Sequence, residues 1–195
     1  DSNYHRPGVT IEGGIKVRRF RVEATDHHSF QWSNWRLEQG QMLSRSEEDD
    51  FIKGMMHCPQ LFEHIAAHCQ ENYYFFIPYL FATTIVGAQI CPERSVIIPC
   101  LHEEGYAYLD TLREVFPKVR SLILHSQAEL AQVEKIFGPA QQQLREVVGE
   151  GVDTQFESDA ERFRTKFKIS DPFILVVGRR DRVKNTPLLL HYWRR

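Results

Sequence analysis

From Tyr73 onward the chain alternates short apolar runs with stretches of helical spacing, and this alternation limits the fold more than any other feature. The runs are Tyr73–Ile77, Val96–Ile98, Leu122–Leu124, Val147–Val148 and Phe173–Val177. They lack the clean apolar–polar alternation of a strand with one wet face, which suits parallel strands covered on both sides. Between them, Tyr108, Leu109, Leu112, Val115 and Phe116 recur at helical spacing and form one apolar stripe. Ser126-Gln127-Ala128-Glu129 spells a capping box, and Leu130, Val133 and Phe137 continue the buried face behind it. Strand–helix–strand repetition at this interval predicts right-handed crossovers in an open α/β sheet.

Ahead of Tyr73 the pattern is less regular. Ile15–Val22 reads as an edge strand carrying Arg18, Arg19 and Arg21. Charges there protect an edge against unwanted pairing, and the functional reading is contact with an anionic lipid or membrane surface. Gly13-Gly14 reads as a turn into that strand, and Asp1–Gly14 reads as polar. His28–Met56 reads as helical, with an acidic Glu47–Asp50 run that favours a helix start. Pro59–Asn72 reads as a helix with Leu61, Phe62, Ile65, Ala66 and Cys69 on one side. A boundary is expected at Gly149-Glu150-Gly151-Val152-Asp153, where two closely spaced glycines permit a backbone reversal. Beyond it come a helix at Ser158–Lys168, opened by a second box from Ser158 to Glu161, then the last apolar run and a final helix. That is too little chain for an independent domain, so truncation at Arg195 is expected, and the polar Asp1–Gly14 in place of an opening buried strand extends the expectation to Asp1.

Composition narrows the class. With 195 residues, 42% of them hydrophobic and 13 of them Phe, the chain can bury a sizeable core. Its formal net charge of −2 argues against a nucleic-acid partner, which calls for a basic face. The uncharged stretch Tyr73–Ile90 is broken by Pro78, Thr83, Thr84 and Gln89, and the segment after Pro78 is too short to span a bilayer. No secretory leader opens the sequence. Cys58, Cys69, Cys91 and Cys100 sit among apolar neighbours at irregular spacing and read as reduced core residues of a cytoplasmic protein.

The loop Gly178–Lys184 carries the chemistry. The sequence places it after the apolar run ending at Val177 and before a helix with Thr186 as N-cap and Pro187 at its first position. Ligands of open α/β sheets bind at the carboxyl ends of strands. Arg179 and Lys184 flank the loop, and the positive helix end would aim at the same point, a cradle suited to a pyrophosphate. The competing reading is a solvated basic loop. His64 and His68 stand at i, i+4, but no Glu lies between them in the metalloprotease manner, and surface histidines are the better reading. His102-Glu103-Glu104 reads as a polar strand-end loop before it reads as a metal site. Glu129 is explained by its capping box before any substrate contact.

In this setting the sequence resembles glycosyltransferase family 4, the group 1 retaining enzymes of the GT-B fold. The likeness rests on Gly178-Arg179 with Lys184-Asn185 and the Leu188–Leu190 helix, on Gly149–Asp153, on Pro99-Cys100-Leu101-His102-Glu103-Glu104, and on Ser126–Glu129. Their order over residues 73–190 carries it. Glu103 stands where many relatives have Asp. The resemblance implies a doubly wound, Rossmann-like parallel sheet, with residues 1–148 as a partial acceptor-side domain, 149–154 as a linker and 155–195 as the start of a donor-nucleotide domain. It implies sugar transfer from a nucleotide-diphosphate sugar to a hydroxyl acceptor, saccharide or lipid-linked, with retention. Gly178, Arg179 and Lys184 would hold the donor diphosphate, and His102 would face the donor sugar. Glu103 and Glu129 are the remaining candidates for substrate contact. Fixed cations at a departing diphosphate stabilise the transition state more than the ground state. No metal and no further cofactor are expected, nor is turnover by the chain alone. The expected location is cytoplasmic, with peripheral contact to the inner face of the membrane. An epimerase or sugar phosphorylase of the same fold, and a non-catalytic sugar- or nucleotide-binding module, remain alternatives.

Overall fold

A computed structural model of the chain describes residues 3–155, 157–180 and 184–194. It divides into two compact units, Asp1–Gly151 and Val152–Arg195. The first opens on an antiparallel hairpin of β1 (Gly8–Glu12) and β2 (Ile15–Arg19). Gly13 and Gly14 close it with φ of 57° and 83°, the left-handed pair that a two-residue hairpin turn requires. The turn was legible in the sequence, but the strand before it was not. Gly8–Glu12 is exposed throughout, so it gives no buried run to read. The second strand also ends at Arg19, short of the expected Val22.

Three helices come next. His28–Met56 is two helices rather than one: α1 (His27–Glu38) and α2 (Arg45–Lys53). Gly40, at φ 71°, breaks the path, and Ser44 then caps α2 in a complete box with Glu47. The buried carboxylate of Glu48 on α2 accepts from the amides of Asp110 and Thr111 at 2.9 and 3.0 Å, and from the Thr111 hydroxyl at 2.9 Å. It therefore caps a helix far away in sequence. The third, α3 (Pro59–Ala67), stops five residues before the expected Asn72; His68 takes the C-cap position and leads into a turn.

The remainder of this unit is a four-stranded parallel sheet of β3 (Tyr74–Phe76), β4 (Ser95–Ile97), β5 (Ser121–Leu124) and β6 (Leu144–Val147), in that spatial order. Parallel neighbours need long crossovers, and α4 (Ala82–Ile90), α5 (Asp110–Val115) and α6 (Gln127–Phe137) supply them. The molecule is thus an α/β protein with a parallel sheet flanked by helices. Strand order rises without reversal, so the described strands contain no switch point of the kind that divides a doubly wound sheet. Phe76, Ile97, Leu122 and Leu124 fill one face of the sheet. Gly87 lets α4 approach that face, because a Cβ there would meet the Phe76 ring at 2.7 Å. On the other face, the row Phe75, Val96, Ser121, Leu144 is buried only in the middle; Phe75 at one end is 62% exposed.

The second unit holds α7 (Ala160–Phe167) and α8 (Thr186–Trp193). None of its described residues is buried. Phe173–Val177 does not form the expected strand; its five side chains are exposed. A strand needs a neighbour to complete its ladder, and none stands beside it among the described residues. The helix caps also differ from expectation. Asp159, not Ser158, caps α7 by accepting from the Arg162 amide at 2.8 Å. Asn185, not Thr186, is the N-cap of α8 and is left-handed at φ 55°, which makes Thr186 the first helical residue.

One further expectation is overturned. Cys69 and Cys91 are joined in a disulfide, with Cα atoms 5.8 Å apart, and only Cys58 and Cys100 are free. Their separation of 22 residues hid the pairing. It arises because Cys69 lies just past α3 and Cys91 ends α4, and those helices pack side by side.

Candidate functional site

A cleft of about 520 Å³ opens at the carboxyl ends of β4 and β5, where the sheet delivers its loops. After β4 the chain reverses at Cys100, which adopts a left-handed φ of 53° and turns Leu101, His102 and Glu103 along one wall. After β5 it passes through His125 into the start of α6, which forms the opposite wall with Ser126, Glu129 and Gln132.

Glu129 ties the walls together. One of its carboxylate oxygens accepts from the Leu101 amide at 2.7 Å and the other from the His125 amide at 2.6 Å. Only half of the expected capping box is made: the Ser126 hydroxyl accepts from the Glu129 amide at 3.1 Å, while the Glu129 side chain turns away to the two strand ends. The side chain is buried, and both its oxygens are engaged in holding the loops. It is a positioning residue for the cleft.

His125 is the residue that sequence reasoning missed. Its Nε2 lies 3.3 Å from the Cys100 thiol, and its Nδ1 lies 3.6 Å from a Glu150 carboxylate oxygen. Nδ1 is a buried atom without a hydrogen-bond partner. The imidazole thus sits between a thiol and a carboxylate at the cleft wall. Its position directly after a buried run was the available signal, since side chains at strand carboxyl ends are those a sheet presents to ligands. The thiol is not poised as a nucleophile. Burial pushes the Cys100 ionisation up, and the Glu129 and Glu150 carboxylates push it further.

His102 is exposed at the rim. Glu103 beside it is committed elsewhere: it pairs with Lys135 at 2.8 Å and accepts from the Tyr108 hydroxyl. The Lys135 ammonium and the Tyr108 hydroxyl hold its carboxyl down to about 2, well below the ordinary 4.5. Glu104 accepts from Tyr79 at 2.8 Å, and burial together with that carboxylate pushes the Tyr79 hydroxyl far up. Of the two histidines at the end of α3, His68, its C-cap, already spends Nδ1 on the His64 carbonyl at 2.8 Å.

The structure gathers His102, Glu103 and Glu129 in one place. Gly178, Arg179 and Lys184 belong to the other compact unit, where the two cationic side chains are exposed. The Thr186 hydroxyl donates to the Arg179 carbonyl at 3.3 Å, linking the ends of their loop. Asp181, Arg182 and Val183, the middle of that loop, lie outside the described residues. Because Phe173–Val177 is no strand, the loop does not stand at a strand's carboxyl end, as the sequence led one to expect. The fold and cleft define the class: an α/β protein with a parallel sheet and a loop-lined site at the carboxyl ends of its strands. Neither protein-family models, nor curated proteins, nor solved structures give a match to this chain. Among the described residues, no helix is long and apolar enough to cross a membrane.

Proposed function

We propose that the chain is part of a retaining glycosyltransferase that moves a sugar from a nucleotide-diphosphate donor to a hydroxyl acceptor. The observation that carries this reading is the cleft at the ends of β4 and β5, with His102 and His125 among carboxylates. His102, Ser126, Gln132 and Glu150 bring hydrogen-bonding groups to a wall that also carries Leu101 and Ala128, a mixture that suits the hydroxyls and apolar ring face of a sugar. In this reading His102 faces the sugar from the rim. Glu129 holds the two loops in register instead of touching substrate, and Glu103, already paired with Lys135, shapes the rim.

The donor diphosphate falls to Arg179 and Lys184, with Gly178 allowing the backbone to turn at φ 150°. A guanidinium and an ammonium neutralise the charge that builds on a departing diphosphate, so the transfer calls for no metal. Calorimetric titration of UDP, GDP and ADP into the chain and into Arg179→Ala tests the contact. Loss of one charge-assisted hydrogen bond weakens diphosphate binding by about tenfold or more, and His102→Ala leaves it unchanged. Equal affinity of the parent and Arg179→Ala refutes the donor assignment. Sugar transfer by the 195-residue chain alone refutes the expectation that it binds donor without turning it over.

A further inference from the structure

The Cys69–Cys91 pair lies away from the cleft, at the amino-terminal end of β4. Cys91 ends α4 and is fully buried, and its carbonyl accepts from the Ser95 hydroxyl at 2.8 Å, at the first residue of the strand. Glu93, two residues on, folds back over both sulfurs. One of its carboxylate oxygens lies 3.4 Å from Cys91 Sγ and 3.8 Å from Cys69 Sγ. The three side chains offer two sulfurs and one oxygen within 4.8 Å of one another.

The sulfur–oxygen spacings match a coordination shell, and the two sulfurs need only part to about 3.8 Å once their bond is cut. Zinc takes thiolate sulfur at about 2.3 Å and carboxylate oxygen at about 2.0–2.2 Å, so two such ligands at a tetrahedral angle stand about 3.5 Å apart. Both sulfur–oxygen distances fall near that value with the disulfide closed. Thiolates select thiophilic ions, and a carboxylate as third ligand suits zinc. We propose that Cys69, Cys91 and Glu93 form a redox-gated site for a thiophilic divalent cation of the zinc class, with water as fourth ligand.

The gate is the disulfide. While it is closed, neither sulfur carries the charge that a cation needs, and Glu93 alone binds nothing firmly. A small dithiol delivers two electrons and two protons; the S–S bond breaks, two thiols form, and the reductant leaves as its own disulfide. The cation then displaces both thiol protons to solvent and takes two thiolates and the Glu93 carboxylate. Either state, disulfide or metal, clasps the end of α3 to the end of α4, and the reduced, metal-free state leaves them unclasped.

The test uses the whole chain in its oxidised form and in a form reduced by a dithiol that is then removed, each titrated with cobalt(II) and then zinc. The reduced chain is expected to show thiolate-to-cobalt charge-transfer absorption at one equivalent, to lose it to zinc, and to melt at a higher temperature with zinc present. The oxidised chain shows neither change. Because Cys91 is fully buried and its replacement risks the fold, Cys69→Ser and Glu93→Gln carry the ligand test. Cys69→Ser abolishes the absorption, and Glu93→Gln weakens zinc binding by about tenfold or more, at least the loss seen when a supporting partner of a metal ligand is removed. Cys100→Ser changes nothing. Equal binding by both redox forms, parent-like binding by Cys69→Ser and Glu93→Gln, or loss of binding in Cys100→Ser overturns the site.

Discussion

Two apolar runs of similar composition have opposite fates in this molecule. Ser121–Leu124 becomes β5, an inner strand whose Leu122 and Leu124 are completely buried. Phe173–Val177 is at least as apolar, yet it remains irregular, and Leu175 is 63% exposed. β5 has β4 on one side and β6 on the other, while no strand accompanies residues 173–177 among those described. Apolar character supplies the drive to bury a segment, but a ladder and a facing layer decide whether it becomes a strand.

The contrast is broken or sharpened most strongly by truncating one leucine in each run. Leu122→Ala is expected to cost about 2–5 kcal/mol in urea unfolding, as for a buried leucine whose site cannot collapse. Leu175→Ala is expected to stay within about 0.5 kcal/mol, as surface changes do. Comparable losses at both positions sink the distinction. Acids near helix starts give the next comparison. Removing Glu48 strands the buried Thr111 amide and the part-buried Asp110 amide at the head of α5, a loss of about 2–3 kcal/mol by the same measurement. Glu161, exposed in the first turn of α7, offers a charge–dipole effect of only about 0.3–1 kcal/mol, so Glu161→Ala should be nearly silent.

N-caps are the third comparison. Ser126→Ala is expected to cost about 1 kcal/mol of global stability, because α6 is packed into the core. Asp159→Ala removes an equivalent bond from α7, a helix with no buried residue, and should show as local fraying in circular dichroism or amide exchange with no shift in the global transition. The smallest effect belongs to Glu103. Its folded carboxyl is held near 2, below the ordinary 4.5, so its contribution is present above 4.5 and lost as pH falls through about 2. Carboxyl NMR titration should show the low midpoint, and Lys135→Met should return it toward 4.5; an unmoved midpoint counts against the ion pair.

The same contrast explains what the sequence disclosed. The crossover region from Tyr73 to Val147 was legible because its two inner strands are buried and its helices carry apolar stripes, as Leu109, Leu112, Val115 and Phe116 do. The hairpin's first strand escaped notice because it buries nothing, and the break between α1 and α2 depended on Gly40 and on a Ser44–Glu47 box inside a charged stretch. At the cleft, His102 and Glu103 could be named from their loop. His125 offered only its place after a buried run, since its neighbours Cys100 and Glu150 are each 25 residues away. The Cys69–Cys91 pair was hidden for the same reason: proximity made by packing leaves no trace in spacing.

Glu129 acts as a keystone between the two lips of the cleft. Each oxygen grips a different lip, so the loop after β4 and the loop after β5 share a single anchor. An isosteric glutamine could keep only one lip, because its amide nitrogen would confront a backbone N–H, donor against donor. The reach of this one carboxylate therefore sets the spacing of the two lips.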